Sequence, residues 1–213
     1  MPTAKRRNGV DAVPAARHDD GVATPEDLPV HAFASAAEFE TWLAAEHERA
    51  PGLYLQIAKK SAGMASITAA EAVEVALCFG WIDGRANRVD DDWFTVRYTP
   101  RRARSVWSAK NVATVARLVA GGRMRPAGLA AVEAAQADGR WDRAYAGPAT
   151  ITVPDDLAVA LAANPAAEGF FAGLDKTNRY AVLWRVHTAT TPQTREKRIA
   201  ACVQMLAEGR RFH

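Results

Sequence analysis

The sequence predicts an α+β fold: a small antiparallel sheet packed with helices, followed by a mainly helical C-terminal half. Three observations lead there. Helices alternate with strand-like runs only in the first half of the chain. From Ser105 onward, apolar residues recur at helical spacing. No glycine-rich phosphate loop follows the first strand, which argues against a doubly wound nucleotide fold.

The elements follow from local signals. Ser35-Ala36-Ala37-Glu38 reads as a capping box, with Phe39, Trp42 and Leu43 as the apolar face behind it. Pro51-Gly52 ends that helix, and Leu53 to Ala58 reads as a mostly buried strand with Lys59-Lys60 leaving its end. Thr68-Ala69-Ala70-Glu71 is a second capping box, opening a helix that buries Ala72, Val73, Ala76 and Leu77 and stops near Gly80. A tight Gly80–Gly84 stretch carrying Asp83 then leads into a hairpin. Its arms are about Arg85 to Val89 and Trp93 to Tyr98, turning at Asp90-Asp91-Asp92.

Beyond Ser105, a helix over Ser108 to Ala120 buries Val112, Val115, Ala116 and Val119, and Gly121-Gly122 releases it. Pro126 can occupy the first position of the next helix, which carries Leu129 and Val132 until Gly139. Trp141 and Tyr145 read as satellites of the core. After an extended connection over Pro148 to Val153, Pro154 starts a short helix with Leu157 and Leu161. Asn164-Pro165 caps another. Tyr180, Leu183, Trp184 and His187 share one helical face, and Thr191-Pro192 opens a last helix striped by Ile199, Cys202, Val203 and Leu206.

A length of 213 residues with 49% hydrophobic content suits one domain or one domain with an appendage, and excludes wholesale disorder. The reading divides the chain into a flexible arm at 1–28, an α+β core at 29–147 and a helical extension packed on it at 148–213. No run approaches 18 consecutive apolar residues, so no segment is expected to span a bilayer. Arg6-Arg7 lacks the apolar region of an export signal, which makes the cytoplasm the expected location. Cys78 and Cys202 both fall in apolar helical patterns and read as reduced core thiols. Two Cys and five His form no short ligand spacing, so neither metal nor cofactor is expected.

Local charge is more informative than the formal net charge of +3. From Arg85 to Arg125 there are ten basic residues against three acidic ones. Within that stretch Arg101, Arg102, Ser105, Trp107, Ser108 and Asn111 join a strand end to a helix start. Guanidinium forks and helix-start amides together suit a phosphate or carboxylate. The same residues also fit a purely structural arrangement, with Ser105 or Ser108 capping the helix and the arginines paired with Asp83 or the Asp90–Asp92 run. Trp93, Tyr98 and Trp107 interleave with the basic residues as stacking surfaces can, although strand aromatics usually pack inward.

Phe79-Gly80-Trp81-Ile82-Asp83-Gly84, Tyr98-Thr99-Pro100-Arg101-Arg102 and Ser105-x-Trp107-Ser108-x-x-Asn111 resemble the bacteriocin-protection, YdeI/OmpD-associated family. Lys59-Lys60, Gly122 to Gly128, Gly139-Arg140-Trp141 and Thr191 to Ile199 support the resemblance, which covers about residues 30–208. It marks Lys60, Asp83, Arg101, Arg102, Ser105, Trp107, Ser108 and Asn111 as signature residues. Two departures stand out: Ala109 follows the second serine where members usually carry Lys, and the usual Glu near Gln193 is absent. The family name implies bacteriocin resistance or envelope stress and a periplasmic home, a location not transferred to a chain without an export signal.

These readings leave three function classes. The favoured one is a stress-protection-type protein binding a small anionic or polar ligand. The second is a hydrolase-like enzyme using Asp83 or Ser108, for which no activating partner is visible. His31, His47, His187 and His213 supply none. The third is a weak nucleic-acid binder, whose retention on DNA or RNA would fall steeply with salt.

Overall fold

The computed structural model describes residues 28–213. The arm expected over residues 1–28 therefore lies outside the described residues, apart from Leu28. The chain divides between Pro100 and Arg101 into two compact units, and the division expected at residue 147 falls inside the second. The architecture is α+β, with the described sheet in the first unit and helices making up the second.

The first unit runs β1 (Val30–Ala32), α1 (Ala36–Glu46), β2 (Leu53–Ala58), α2 (Ala69–Cys78), β3 (Trp81–Arg88) and β4 (Trp93–Pro100), with strand order β1-β2-β4-β3. The β3–β4 pair is the predicted antiparallel hairpin, and β2 pairs antiparallel with β4. β1 was not predicted, and its parallel pairing with β2 makes the sheet mixed. Along β2 the period of two puts Leu53, Leu55 and Ile57 opposite Tyr98, Val96 and Phe94 on one face. On α1, Phe39 and Leu43 are fully buried, and the Phe39 ring meets Tyr98 edge-on at 5.8 Å.

Local chemistry sets the element ends. The Thr68–Glu71 capping box is complete: the Thr68 hydroxyl accepts the Glu71 amide at 3.2 Å, and the Glu71 carboxylate accepts the Thr68 amide at 2.9 Å. At α1 only half of the expected box forms. Ser35 accepts the Glu38 amide at 3.3 Å, but Glu38 takes the amide of Ala34 rather than that of Ser35. Gly52 is required where β2 begins: its φ is +149°, and a Cβ there would lie 2.7 Å from the Tyr98 carbonyl oxygen. The stripe on α2 includes Val75, while Val73 is only half-buried.

In the second unit α3 (Ala109–Ala120), α4 (Pro126–Ala137), α5 (Asp155–Ala162), α6 (Pro165–Ala172), α7 (Lys176–His187) and α8 (Pro192–Ala207) follow the predicted order. Three buried faces differ from expectation. On α3, Thr114, Val115 and Leu118 are buried, while Ala116 is exposed and Val119 is 50% exposed. The stripe thus runs through Thr114 and Leu118, one position earlier than expected. On α7, Asn178, Val182, Leu183 and Val186 face inward, and Tyr180, Trp184 and His187 are half-buried. Likewise Leu129 of α4 is exposed, and Gly128, Val132 and Ala135 pack instead. Helices α5 to α8 share a core that includes Leu157, Leu161, Phe171, Val182, Cys202 and Leu206. Cys78 and Cys202 are both buried, and burial pushes the Cys202 thiol up. No helix among the described residues is long and apolar enough to cross a membrane.

Candidate functional site

The eight sequence-predicted site residues fall on both units: Lys60 and Asp83 in the first, and the other six in the second. Lys60 is exposed and opens a 3-10 turn, Lys60–Ala62, just beyond the Ala58–Trp93 end of the β2–β4 pair. Asp83 stands opposite Tyr98. Trp93 and Tyr98 are five residues apart, about 17 Å of strand, so the sheet holds Lys60 and Asp83 at opposite ends.

The tight Gly80–Gly84 stretch expected around Asp83 is instead the start of β3. Gly80 has a φ of +73° and Trp81 already pairs with Pro100. A register irregularity follows between Asp83 and Ala86. Asp83 lies exposed on the strand surface. Its electrostatic effect is on its neighbour: burial first, and the Asp83 charge second, push the Tyr98 phenol up. The triple-Asp turn is locally satisfied, because Asp90 accepts the amides of Asp92 and Trp93 at 2.8 Å each while Asp91 pairs with Arg88.

The second-unit residues form a connected local structure. Arg102 and Ser105 close a turn: the Arg102 amide donates to the Ser105 hydroxyl at 3.0 Å, and the Ser105 amide to the Arg102 carbonyl at 2.9 Å. Arg101 lays its guanidinium over the Trp107 ring at 3.5 Å from the centroid and donates to the Val106 carbonyl at 3.3 Å. Trp107 is 1% exposed and its ring meets Trp141 edge-on at 4.9 Å. Ser108 caps α3, its hydroxyl oxygen accepting the Asn111 amide at 3.1 Å.

Two participants were not predicted. Arg140 donates to the Ser105 carbonyl at 3.0 Å and is itself held by both Asp138 carboxylate oxygens at 2.8 and 2.7 Å. That fork keeps the Asp138 carboxyl below the usual carboxylate range. Tyr145 runs beside the segment as a one-residue bridge to Ser108, its amide donating to the Trp107 carbonyl and its carbonyl accepting the Ala109 amide. The Gly139-Arg140-Trp141 run carried a sequence signal for Arg140, whereas a single bridging tyrosine carries none.

These bonds decide what the segment offers to a ligand. Of the first three α3 amides, Ala109 is taken by Tyr145 and Asn111 by Ser108, which leaves Lys110 as the one without a partner among the described residues. Arg102, Arg104 and Lys110 are exposed, and Arg101, Ser105 and Asn111 are half-buried. From Arg101 to Val132 the chain carries seven basic residues (Arg101, Arg102, Arg104, Lys110, Arg117, Arg123 and Arg125) and no acidic one. No group of three or more His, Cys, Asp or Glu among the described residues could hold a metal ion.

Comparison with known families gives two matches, the first of which runs across the division between Pro100 and Arg101. Residues 31–131 match a model described as Domain of unknown function (DUF8412). Residues 150–209 match the model of the bacteriocin-protection, YdeI or OmpD-Associated family. The motifs from Phe79 to Asn111 thus lie in the first match, and the Thr191–Ile199 segment in the second. Comparison with curated proteins and with solved structures gives no match. The likeness to the bacteriocin-protection, YdeI or OmpD-Associated family is thus carried by residues 150–209.

Proposed function

We propose that the segment from Arg101 to Asn111, with the start of α3, binds a small anion of the phosphate or carboxylate class. The observation that carries this reading is the run of seven basic and no acidic residues from Arg101 to Val132, three of whose cations stand exposed around the start of α3. Such a run raises the local concentration of anions. The cations act through different means. Arg101 is fixed over Trp107 with its Nε and Nη2 atoms buried, so the exposed Arg102, Arg104 and Lys110 are the cations within reach of a solvent-borne anion. The Lys110 amide adds one backbone donor, fewer than the sequence suggested, so side-chain charge dominates over the helix dipole.

A binding role is favoured over hydrolysis because the Ser108 hydroxyl oxygen is engaged as the helix cap, and Asp83 is an exposed strand residue of the other unit. Isothermal titration of the full chain with sodium phosphate and with citrate tests the reading. Saturable binding that Arg102→Ala with Lys110→Ala reduces about tenfold or more, without a change in melting temperature, is the expected result. Heat release that is unaffected by the double substitution overturns it. Binding only to a single-stranded oligonucleotide, with a steep salt dependence, would move the function to nucleic acid.

A further inference from the structure

A concavity of about 870 Å³ lies between α5 and α8. Its α8 wall recurs every three or four residues from Pro192 to Glu208, along a helix about 24 Å long. Ala200, Val203 and Ala207 line it from α8, and Ala160 faces them from α5. Ala200 and Ala207 are exposed, whereas Ile199, Cys202 and Leu206 of the same helix are buried in the core. Helix α8 thus leaves Ala200 and Ala207 as small apolar positions outside the core, with Val203, which also packs against that core, between them. A helix needed only to cover that core would carry polar residues at 200 and 207.

The rim is acidic. Asp156, Glu196 and Glu208 border the groove against a single guanidinium, that of Arg195. Arg195 is occupied by Asp156, and Glu208 by Arg210 and Gln204. Glu196 is exposed and has no ion-pair partner among the described residues. Small residues on the floor let another backbone approach closely, and the length suits about four turns of helix.

We propose that this groove seats a cationic amphipathic helix of a partner protein, its apolar face on Ala160, Ala200, Val203 and Ala207 and its Lys or Arg side chains on the carboxylate rim. The proposal is independent of the anion reading, since no residue from Arg101 to Asn111 lines the groove.

Fluorescence anisotropy on the full chain tests it with two labelled synthetic helices of roughly five turns, one with Leu on one face and Lys on the other, the second with Glu replacing every Lys. The Lys helix is expected to bind saturably and at least about tenfold more tightly than the Glu helix. Ala200→Trp, which fills the groove, should cost more than about tenfold in affinity. Glu196→Lys, at an exposed position that does not threaten folding, should cost about threefold. Arg102→Ala should leave the affinity unchanged. No binding of the Lys helix, equal binding of both helices, or indifference to both groove substitutions overturns the proposal. So does saturable uptake of dodecyltrimethylammonium without helix binding, which would make the groove a small-amphiphile pocket.

Discussion

Replacing Trp107 by Phe separates two opposing contributions of the residue on which Arg101 rests. Trp107 is 1% exposed, and its indole nitrogen is buried with no hydrogen-bond partner among the described residues. The smaller ring leaves a cavity of roughly 40 Å³, which costs about 1 kcal/mol at the usual price per unit volume. Removing an unsatisfied buried donor returns about 1–3 kcal/mol. The difference leaves Trp107→Phe between neutral and about 2 kcal/mol more stable than the parent protein. Trp107→Ala, which removes the whole platform, should cost on the order of 3–5 kcal/mol. Urea unfolding followed by far-ultraviolet circular dichroism measures both. A Trp107→Phe protein as unstable as Trp107→Ala would show that the indole N–H is satisfied and refute the reasoning.

Two further outcomes follow from the second unit. Arg195 hydrogen-bonds the Asp156 carboxylate and holds its carboxyl below the usual range. A depressed folded-state value means the pair's contribution is fully present above the unfolded carboxyl value, about pH 4, and is lost as pH falls through the folded value. Both partners are partly exposed, at 29% and 45%, so Asp156→Asn should cost only about 1 kcal/mol or less at pH 7 and nothing at low pH. Melting curves at the two pH values check this, and an equal cost at both would contradict it. Asn178 is 4% exposed, donates to Asp175 at 2.8 Å and accepts the His213 amide at 2.9 Å. Asn178→Ala should destabilise by about 1–3 kcal/mol in denaturant melts, with a neutral effect refuting the role assigned to those bonds.

Features held by local chemistry were legible in the sequence, and features held by distant partners were not. The Thr68–Glu71 box, the Asn164 and Thr191 caps and the proline starts of α4, α6 and α8 each lie within four residues and formed as read. β1 is three residues long and exists only because β2 lies beside it, so no periodicity could reveal it. The α3 and α7 faces were misphased because Thr114 and Asn178 are polar by type yet buried in place. At the candidate site, the Ser108 cap was legible from its own neighbourhood. The stacking of Arg101 on Trp107 and the Arg140 bond to Ser105 were not, since both depend on side-chain geometry and, for Arg140, on a partner 35 residues away. The strand position of Asp83 was hidden by Gly80 and Gly84, which read as a loop but flank a strand start and a register shift.

The most direct test of the anion site is amide chemical-shift mapping of the isotope-labelled chain during titration with inorganic phosphate. The account predicts saturating shifts centred on Arg102, Ser105, Lys110 and Asn111, with Lys110 the largest, and their loss in the protein carrying Arg102→Ala and Lys110→Ala. Shifts that centre elsewhere, or that persist unchanged in that variant, would contradict it.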